Sequence, residues 1–197
     1  MSAGVLGGPD LAIFAQLAEQ AGCRVVQCGE SDVADADWWE RLLASQMTTG
    51  ERAVDGTITD KCAVGQSLVD RFPGAARLLQ ERGAVCTGDP AILVSCAVGV
   101  SACAAAIAET GSLLLPGAEP GDRLVWLLPP RCMLLVRAAD VLPSLDDAMA
   151  WLRAHPVVGA ATLVTGPSRT SDVERVLTIG VQGPREVIVA VVAGSGD

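Results

Sequence analysis

The stretch Arg131–Thr165, RCMLLVRAADVLPSLDDAMAWLRAHPVVGAATLVT, decides the fold, because it reads as strand, helix, strand. Arg131–Val136 follows the Pro129–Pro130 break as an unbroken apolar run, the pattern of a strand buried on both faces. Ser144 caps a helix that runs to Arg153. Asp146 and Asp147 stand in its first turn and Arg153 in its last, so both charges agree with the helix dipole. Ala161–Thr165 is again a strand. A strand joined to a strand through a helix calls for a largely parallel sheet covered by helices.

The same alternation extends in both directions. Upstream, Asp10 is a candidate N-cap for a helix with Leu11, Phe14, Leu17, Ala18 and Ala21 on one face, stopped by Gly22. Cys23–Cys28 is then a short strand, and Asp35 caps a second helix carrying Trp38, Trp39, Leu42 and Leu43. Met47–Val69 is the least periodic segment. Pro73–Arg82 predicts a helix ending at Gly83, Ala91–Val100 and Gly111–Leu115 predict strands, and Pro116–Asp122 is a turn-rich connection. Downstream, Ser171–Ile179 predicts a helix closed by Gly180, and Glu186–Ala193 the final strand. Neither a repeat nor a low-complexity linker divides the chain, so residues 1–197 are expected to form one domain.

Composition supports this class and excludes others. Of 197 residues, half are apolar and only 3% aromatic, with no Tyr, so the core must be built from Leu, Val, Ile and Ala. Such interiors suit helices packed closely on a sheet. With 14 basic and 23 acidic residues the net charge is −9, which disfavours nucleic acid or an anionic membrane as a partner. The seven cysteines are dispersed and show no Cys-x-x-Cys spacing, so reduced core thiols in a cytoplasmic protein are expected, rather than disulfides, zinc or an iron–sulfur cluster. A lone histidine, His155, excludes histidine triads and multi-histidine metal sites. Ala91–Ala108 carries no charge, but its Ala, Gly, Ser and Cys content gains little in lipid, and a membrane span is not expected. We expect no metal and no resident cofactor.

Two segments of the C-terminal half, Ala102–Ser112 and Gly166–Pro184, carry the residues from which a site could be built. In the first, an apolar run of small residues ends abruptly in Glu109-Thr110-Gly111-Ser112. Gly111 permits a turn of positive φ, and Glu109 at the end of so apolar a run would be partly desolvated, which suits acid–base or nucleophilic work. The bland alternative is a carboxylate that accepts nearby backbone amides. In the second, Leu163-Val164-Thr165 leads through Gly166-Pro167 into Ser168-Arg169-Thr170-Ser171-Asp172-Val173-Glu174. If a helix starts there, its free N–H groups, the Arg169 fork and the hydroxyls of Ser168 and Thr170 would suit a phosphate or carboxylate. The alternative is that Arg169 pairs internally with Asp172 or Glu174. Gly180-Val181-Gln182-Gly183-Pro184 then makes a tight turn into the last strand.

Taken together, Ala106–Ser112, Gly166–Glu174 and Gly180–Pro184 resemble, in order and spacing, the motifs of the lactate-utilization (LUD) domain family, over roughly Pro90 to Ala193. Residues 1–89 would then be the N-terminal part of the same domain. The resemblance implies a three-layer α/β/α, Rossmann-like and mostly parallel sheet, similar to ribose-5-phosphate isomerase and the CoA-transferases. It also implies a role in oxidising L-lactate, beside an iron–sulfur subunit and another oxidoreductase subunit. Carried onto this chain, it marks Glu109 as the candidate catalytic residue. Thr110, Gly111, Ser112, Gly166, Ser168, Arg169, Thr170, Asp172, Glu174, Gln182 and Gly183 are the candidate ligand-binding residues. Two positions depart from the pattern: Ala104 stands where the family carries an acid, and Gln182 where it carries a histidine. Three readings follow: an accessory component of a lactate-oxidising system with a small oxyanion pocket, a stand-alone isomerase or CoA-transferase using Glu109, and a scaffold with a vestigial pocket. Resemblance alone does not decide whether the chain is catalytic.

Overall fold

The structure, a computed structural model, describes residues 8–44, 62–117, 120–155, 160–167, 169–171, 177–179 and 183–194. At its centre lies a five-stranded, all-parallel sheet of β1 (Arg24–Gly29), β2 (Cys62–Val64), β3 (Val98–Ala102), β6 (Arg131–Arg137) and β11 (Glu186–Ala193), in the order β1-β11-β6-β3-β2. The inner strands are the apolar runs of the sequence, and their alternation divides the core in two. Met133 and Leu135 of β6, with Ile188, Ala190 and Val192 of β11, face one cluster. Cys132, Leu134 and Val136, with Val187, Val189 and Val191, face the other. A sheet buried on both faces has no polar side, which is why these strands read as continuous rather than alternating.

One face is covered by helices α2 (Glu30–Val33), α3 (Ala36–Ala44), α4 (Gln66–Arg71) and α5 (Pro73–Glu81), which contribute Val33, Trp39, Leu68 and Leu79 to the first cluster. The other face meets α1 (Pro9–Gln20), α7 (Pro120–Leu127) and a second, four-stranded sheet. That sheet comprises β4 (Ala105–Ile107), β5 (Ser112–Gly117), β7 (Val141–Leu142) and β8 (Ala160–Val164), in the order β7-β4-β5-β8. The molecule is thus a three-layer α/β fold around a parallel sheet, as expected. Its third layer is part sheet, a feature that strand-by-strand reading of the sequence does not reveal.

The chain passes from one sheet to the other between Ala102 and Ala105. Cys103 N donates to Leu135 O in the central sheet, and Ala104 N donates to Leu114 O in the second, both at 2.8 Å. Residues Ala102 to Ala108 are all buried. Small side chains are needed where a backbone bridges two packed layers, which explains the run of alanines.

Several expected elements stand as read. Ser144 accepts from Asp147 N at the start of α8 (Leu145–Ala154), β11 falls where expected, and α5 ends before Gly83. β8 is a strand where expected, but it pairs antiparallel with β5 in the second sheet rather than joining β6 in the parallel one. Asp35 accepts from Asp37 N at 3.0 Å, at the start of α3. Others are corrected. The first helix starts at Pro9 with Gly8 as N-cap, so Asp10 lies in its first turn. Ala91–Val100 is not one strand. Asp89 accepts from Ala91 N at 2.9 Å and Pro90 occupies the first helical position, so α6 (Pro90–Leu93) forms before β3, leaving Ile92 and Val94 exposed. The expected connection Pro116–Asp122 contains the end of β5 and the start of α7, again opened by a proline. Of Met47–Val69, residues 47–61 lie outside the described residues, and the remainder supplies β2 and most of α4. Among the described residues no helix is long and apolar enough to cross a membrane.

Candidate functional site

The two motif segments meet. Strands β5 and β8 pair antiparallel with Leu113 opposite Val164, which sets the turn before β5 beside the turn after β8. Ser112 and Thr165 share a hydrogen bond of 2.6 Å between hydroxyls, and Thr110 Oγ1 donates to Ser112 Oγ at 2.9 Å. The central hydroxyl of this chain is buried, at 4% exposure, whereas Thr110 and Thr165 are exposed. Three hydroxyls in series, wet at both ends, can accept from or donate to a polar ligand without a change in charge. Segments joined only by resemblance in the sequence are therefore neighbours in space.

The glycines of both segments make turns, Gly111 with the positive φ expected of it, and do something further. Gly111 and Gly166 have φ of +65° and +88°. Each is pressed against the last turns of α1. A Cβ on Gly111 would lie 2.5 Å from Ala18 N, and one on Gly166 would lie 2.4 Å from Ala21 O. Their freedom serves the close approach of two turns to a helix backbone, as well as the turn itself.

Glu109 is exposed, so the expectation of a desolvated carboxylate at that position is not met. The apolar run ends just before it, at buried Ala108, and the chain emerges at the turn. Its Oε2 accepts from Leu145 N at 3.0 Å, at the first residue of α8, where a carboxylate satisfies a free helix amide. The expected helix Ser171–Ile179 is also corrected. Arg169–Ser171 is β9 and Leu177–Ile179 is β10, paired antiparallel with Thr170 opposite Thr178. Thr170, Thr178 and Ile179 are β-branched, and their strand preference outweighs the capping-box spacing of Ser171 and Glu174. Among the described residues of this segment no helix starts that could offer its amides to an anion. Ser168, Asp172, Glu174 and Gln182 lie outside the described residues.

Beside Thr165 opens a cleft of about 500 Å³. Thr162, Leu163 and Val164 of β8, continuing into Thr165 and Gly166, form one wall. Arg123, Trp126 and Leu127 of α7, spaced to share one helix face, form the other. Cys132 and Leu134 of β6, Val187 of β11 and the Gly183-Pro184 turn complete the lining, so the cleft lies near the amino ends of two central strands. Of the sequence candidates it gathers Thr165's neighbour Gly166 together with Gly183. Arg123 and Trp126 were missed because only Pro116–Asp122 was read there, as a turn, so the helical spacing of α7 went unread; Thr162 was read only as part of a strand.

A second polar cluster lies at the carboxyl ends of β2 and β3. Asp122 Oδ1 accepts from Ser67 N at 3.3 Å, and Ser67 Oγ accepts from Ala102 N at 3.1 Å. Burial pushes the Asp122 carboxyl up from its ordinary value, against the opposing pull of its Ser67 hydrogen bonds. Gly65 fits between Asp122 and buried Ser101, where a Cβ would lie 2.2 Å from Asp122 Oδ1. Nearby, Ala104 is buried where the family resemblance implies an acid. Arg71 donates to the Ala104 carbonyl at 3.4 Å and pairs with Asp140. None of the seven cysteines forms a disulfide. Six are buried, and burial raises the Cys28 and Cys62 thiols to about 12. Among the described residues no group of three His, Cys, Asp or Glu side chains could hold a metal ion.

A three-layer α/β fold that joins two motif segments across β5 and β8 defines a class of domain, and the comparisons give that class a family. The model of the LUD domain matches residues 76–192, and the chain belongs to that family. It is similar to lactate utilization protein C of Deinococcus radiodurans, 35% identical over 95 residues, 47% of this chain and 45% of the relative. It is 29% identical over 132 residues to that of Bacillus licheniformis, 64% of this chain and 55% of the relative. It is 27% identical over 100 residues to that of a Geobacillus species, 48% of this chain and 42% of the relative. The chain spans about half the length of these curated relatives. In fold it is similar to the crystal structure of a DUF162 family protein from Deinococcus radiodurans, with a TM-score of 0.61 at 17% identity, covering 93% of this chain and 96% of that one.

Proposed function

We propose that this chain acts in lactate utilization as an accessory component of a cytoplasmic L-lactate-oxidising system, beside iron–sulfur and oxidoreductase subunits. In this reading residues 1–197 form one domain, and the joined segments bind a small oxyanion. The names of the relatives support the first part. The observation that carries the second is the Thr110–Ser112–Thr165 hydroxyl chain beside the cleft, which gives two distant motifs a common purpose. Arg169 remains the candidate guanidinium, now from a strand rather than a helix start. An exposed Glu109 already accepting Leu145 N favours an accessory role over a Glu109-based isomerase or CoA-transferase. The scaffold reading draws on a different observation, the packing of Gly111 and Gly166 on α1.

Deleting the gene in its own organism should abolish growth on L-lactate while growth on glucose continues, and a plasmid copy should restore it. Undiminished growth on L-lactate would refute the role. In parallel, the melting temperature of the purified chain should rise with phosphate, sulfate or lactate. An anion at about tenfold its dissociation constant should contribute roughly 1.4 kcal/mol, and Arg169→Ala should lose most of the rise. If none of these anions stabilises the wild type, the scaffold reading replaces the pocket.

A further inference from the structure

The cleft beside Thr165 is larger and more apolar than a small hydroxy acid requires. Its volume of about 500 Å³ lies within the roughly 300–1,000 Å³ range of sites that enclose whole small molecules. Trp126, Leu127, Leu134, Val164 and Val187 give it an apolar floor and walls. Trp126, Leu134 and Val187 belong to the buried core, so this floor is a fixed surface rather than a collection of mobile side chains. Against that surface stand two hydroxyls, Thr162 and Thr165, and one cation, Arg123. Arg123 is exposed and forms no ion pair among the described residues, whereas Arg41, Arg71, Arg77, Arg82 and Arg131 each do.

We propose that the cleft between α7 and β8 binds an amphipathic monocarboxylate, with its hydrocarbon part on Trp126, Leu127 and Val164 and its carboxylate on Arg123. A planar guanidinium can hold a carboxylate through two parallel hydrogen bonds, which fixes the orientation of the ligand. The apolar wall then rewards chain length, since each buried methylene tightens binding by about fourfold. A guanidinium that is the one charged side chain among the described residues lining the cleft selects an anion over a neutral or cationic ligand of the same shape. This inference deepens the proposed pocket by assigning its ligand class, and it rests on the reading that the pocket beside Thr165 is functional.

The test titrates the full chain with L-lactate, butanoate, hexanoate and hexanamide, read by tryptophan fluorescence and by calorimetry. Hexanoate should bind about fifteenfold tighter than butanoate, by a larger factor still over L-lactate, and at least tenfold tighter than hexanamide. Arg123→Gln should erase the advantage of hexanoate over hexanamide, and Arg123→Lys should restore part of it. Leu163→Asp, at a position 42% exposed and therefore tolerant of change, should weaken hexanoate without lowering the melting temperature. Equal binding of L-lactate and hexanoate would overturn the proposal, as would unchanged binding by Arg123→Gln or no binding at all. Loss of lactate growth on gene deletion together with no hexanoate binding would remove this inference and leave the lactate role standing. Hexanoate binding with unimpaired lactate growth would do the reverse.

Discussion

Gly111 shows how a motif residue is fixed by packing as well as by ligand chemistry. Its φ of +65° is open to glycine and strained for alanine, and the missing Cβ leaves room for the backbone of Leu17 and Ala18. Gly111→Ala must therefore distort the turn and push α1 outward. The expected cost is about 2 kcal/mol or more, a fall of roughly 4–8 °C in Tm, measurable by thermal unfolding. An unchanged Tm would mean that α1 is not seated on this turn. The positive φ was legible in the sequence, because a Gly between two hydroxyl residues after an apolar run is a turn signal. The helix it touches was not, since Leu17 and Ala18 lie more than ninety positions earlier and no local pattern records that contact. Glu109 teaches the complementary lesson. The apolar run before it is buried to Ala108, and the burial stops one residue short of the carboxylate.

At the scale of elements, long apolar strands and helices with a clear cap or stop were legible, α5 among them although Pro73 opens it, whereas α6 and α7 were not. β11 reads directly from its apolar run, and α8 from Ser144 and its acidic first turn. α6 and α7 both start at a proline in stretches read as strand or turn, because proline signals a break as readily as a helix start. The β9–β10 hairpin was missed for another reason. A capping-box spacing fits a helix start, yet the β-branched residues of the segment and their cross-strand pairing favour strands. Asp122 ties two of these elements together, α7 to the start of α4 through Ser67. Burial raises its native pKa, so the native state holds this proton more tightly than the unfolded chain. The group therefore subtracts stability as pH rises through the interval between the unfolded and native values, and all of that loss is present above it. Asp122→Asn keeps an oxygen for Ser67 N and removes the charge. Its Tm should exceed that of the wild type at neutral pH, with the difference shrinking as the carboxyl of the wild type protonates in acid. A Tm for Asp122→Asn below the wild type at neutral pH would show that the hydrogen bonds to the carboxylate outweigh its desolvation.

At the scale of the whole molecule, the parallel sheet was legible because its inner strands are apolar on both faces. The second sheet was not, because β4 and β7 are only three and two residues long and gain their identity from pairing alone. That second sheet is nevertheless what builds the candidate site, through the β5–β8 pairing that sets Ser112 against Thr165. If the domain works at this junction, rather than using it only as a seam between two strands, its outer hydroxyl must be needed for function. Thr165 is exposed, so Thr165→Val should leave the fold intact while removing the outer hydroxyl of the chain. The direct measurement is growth on L-lactate of a strain that lacks the gene, complemented with wild-type or Thr165→Val protein at matched abundance and melting temperature. The wild type should restore growth and Thr165→Val should not; equal growth of the two strains would show that the junction is only a seam.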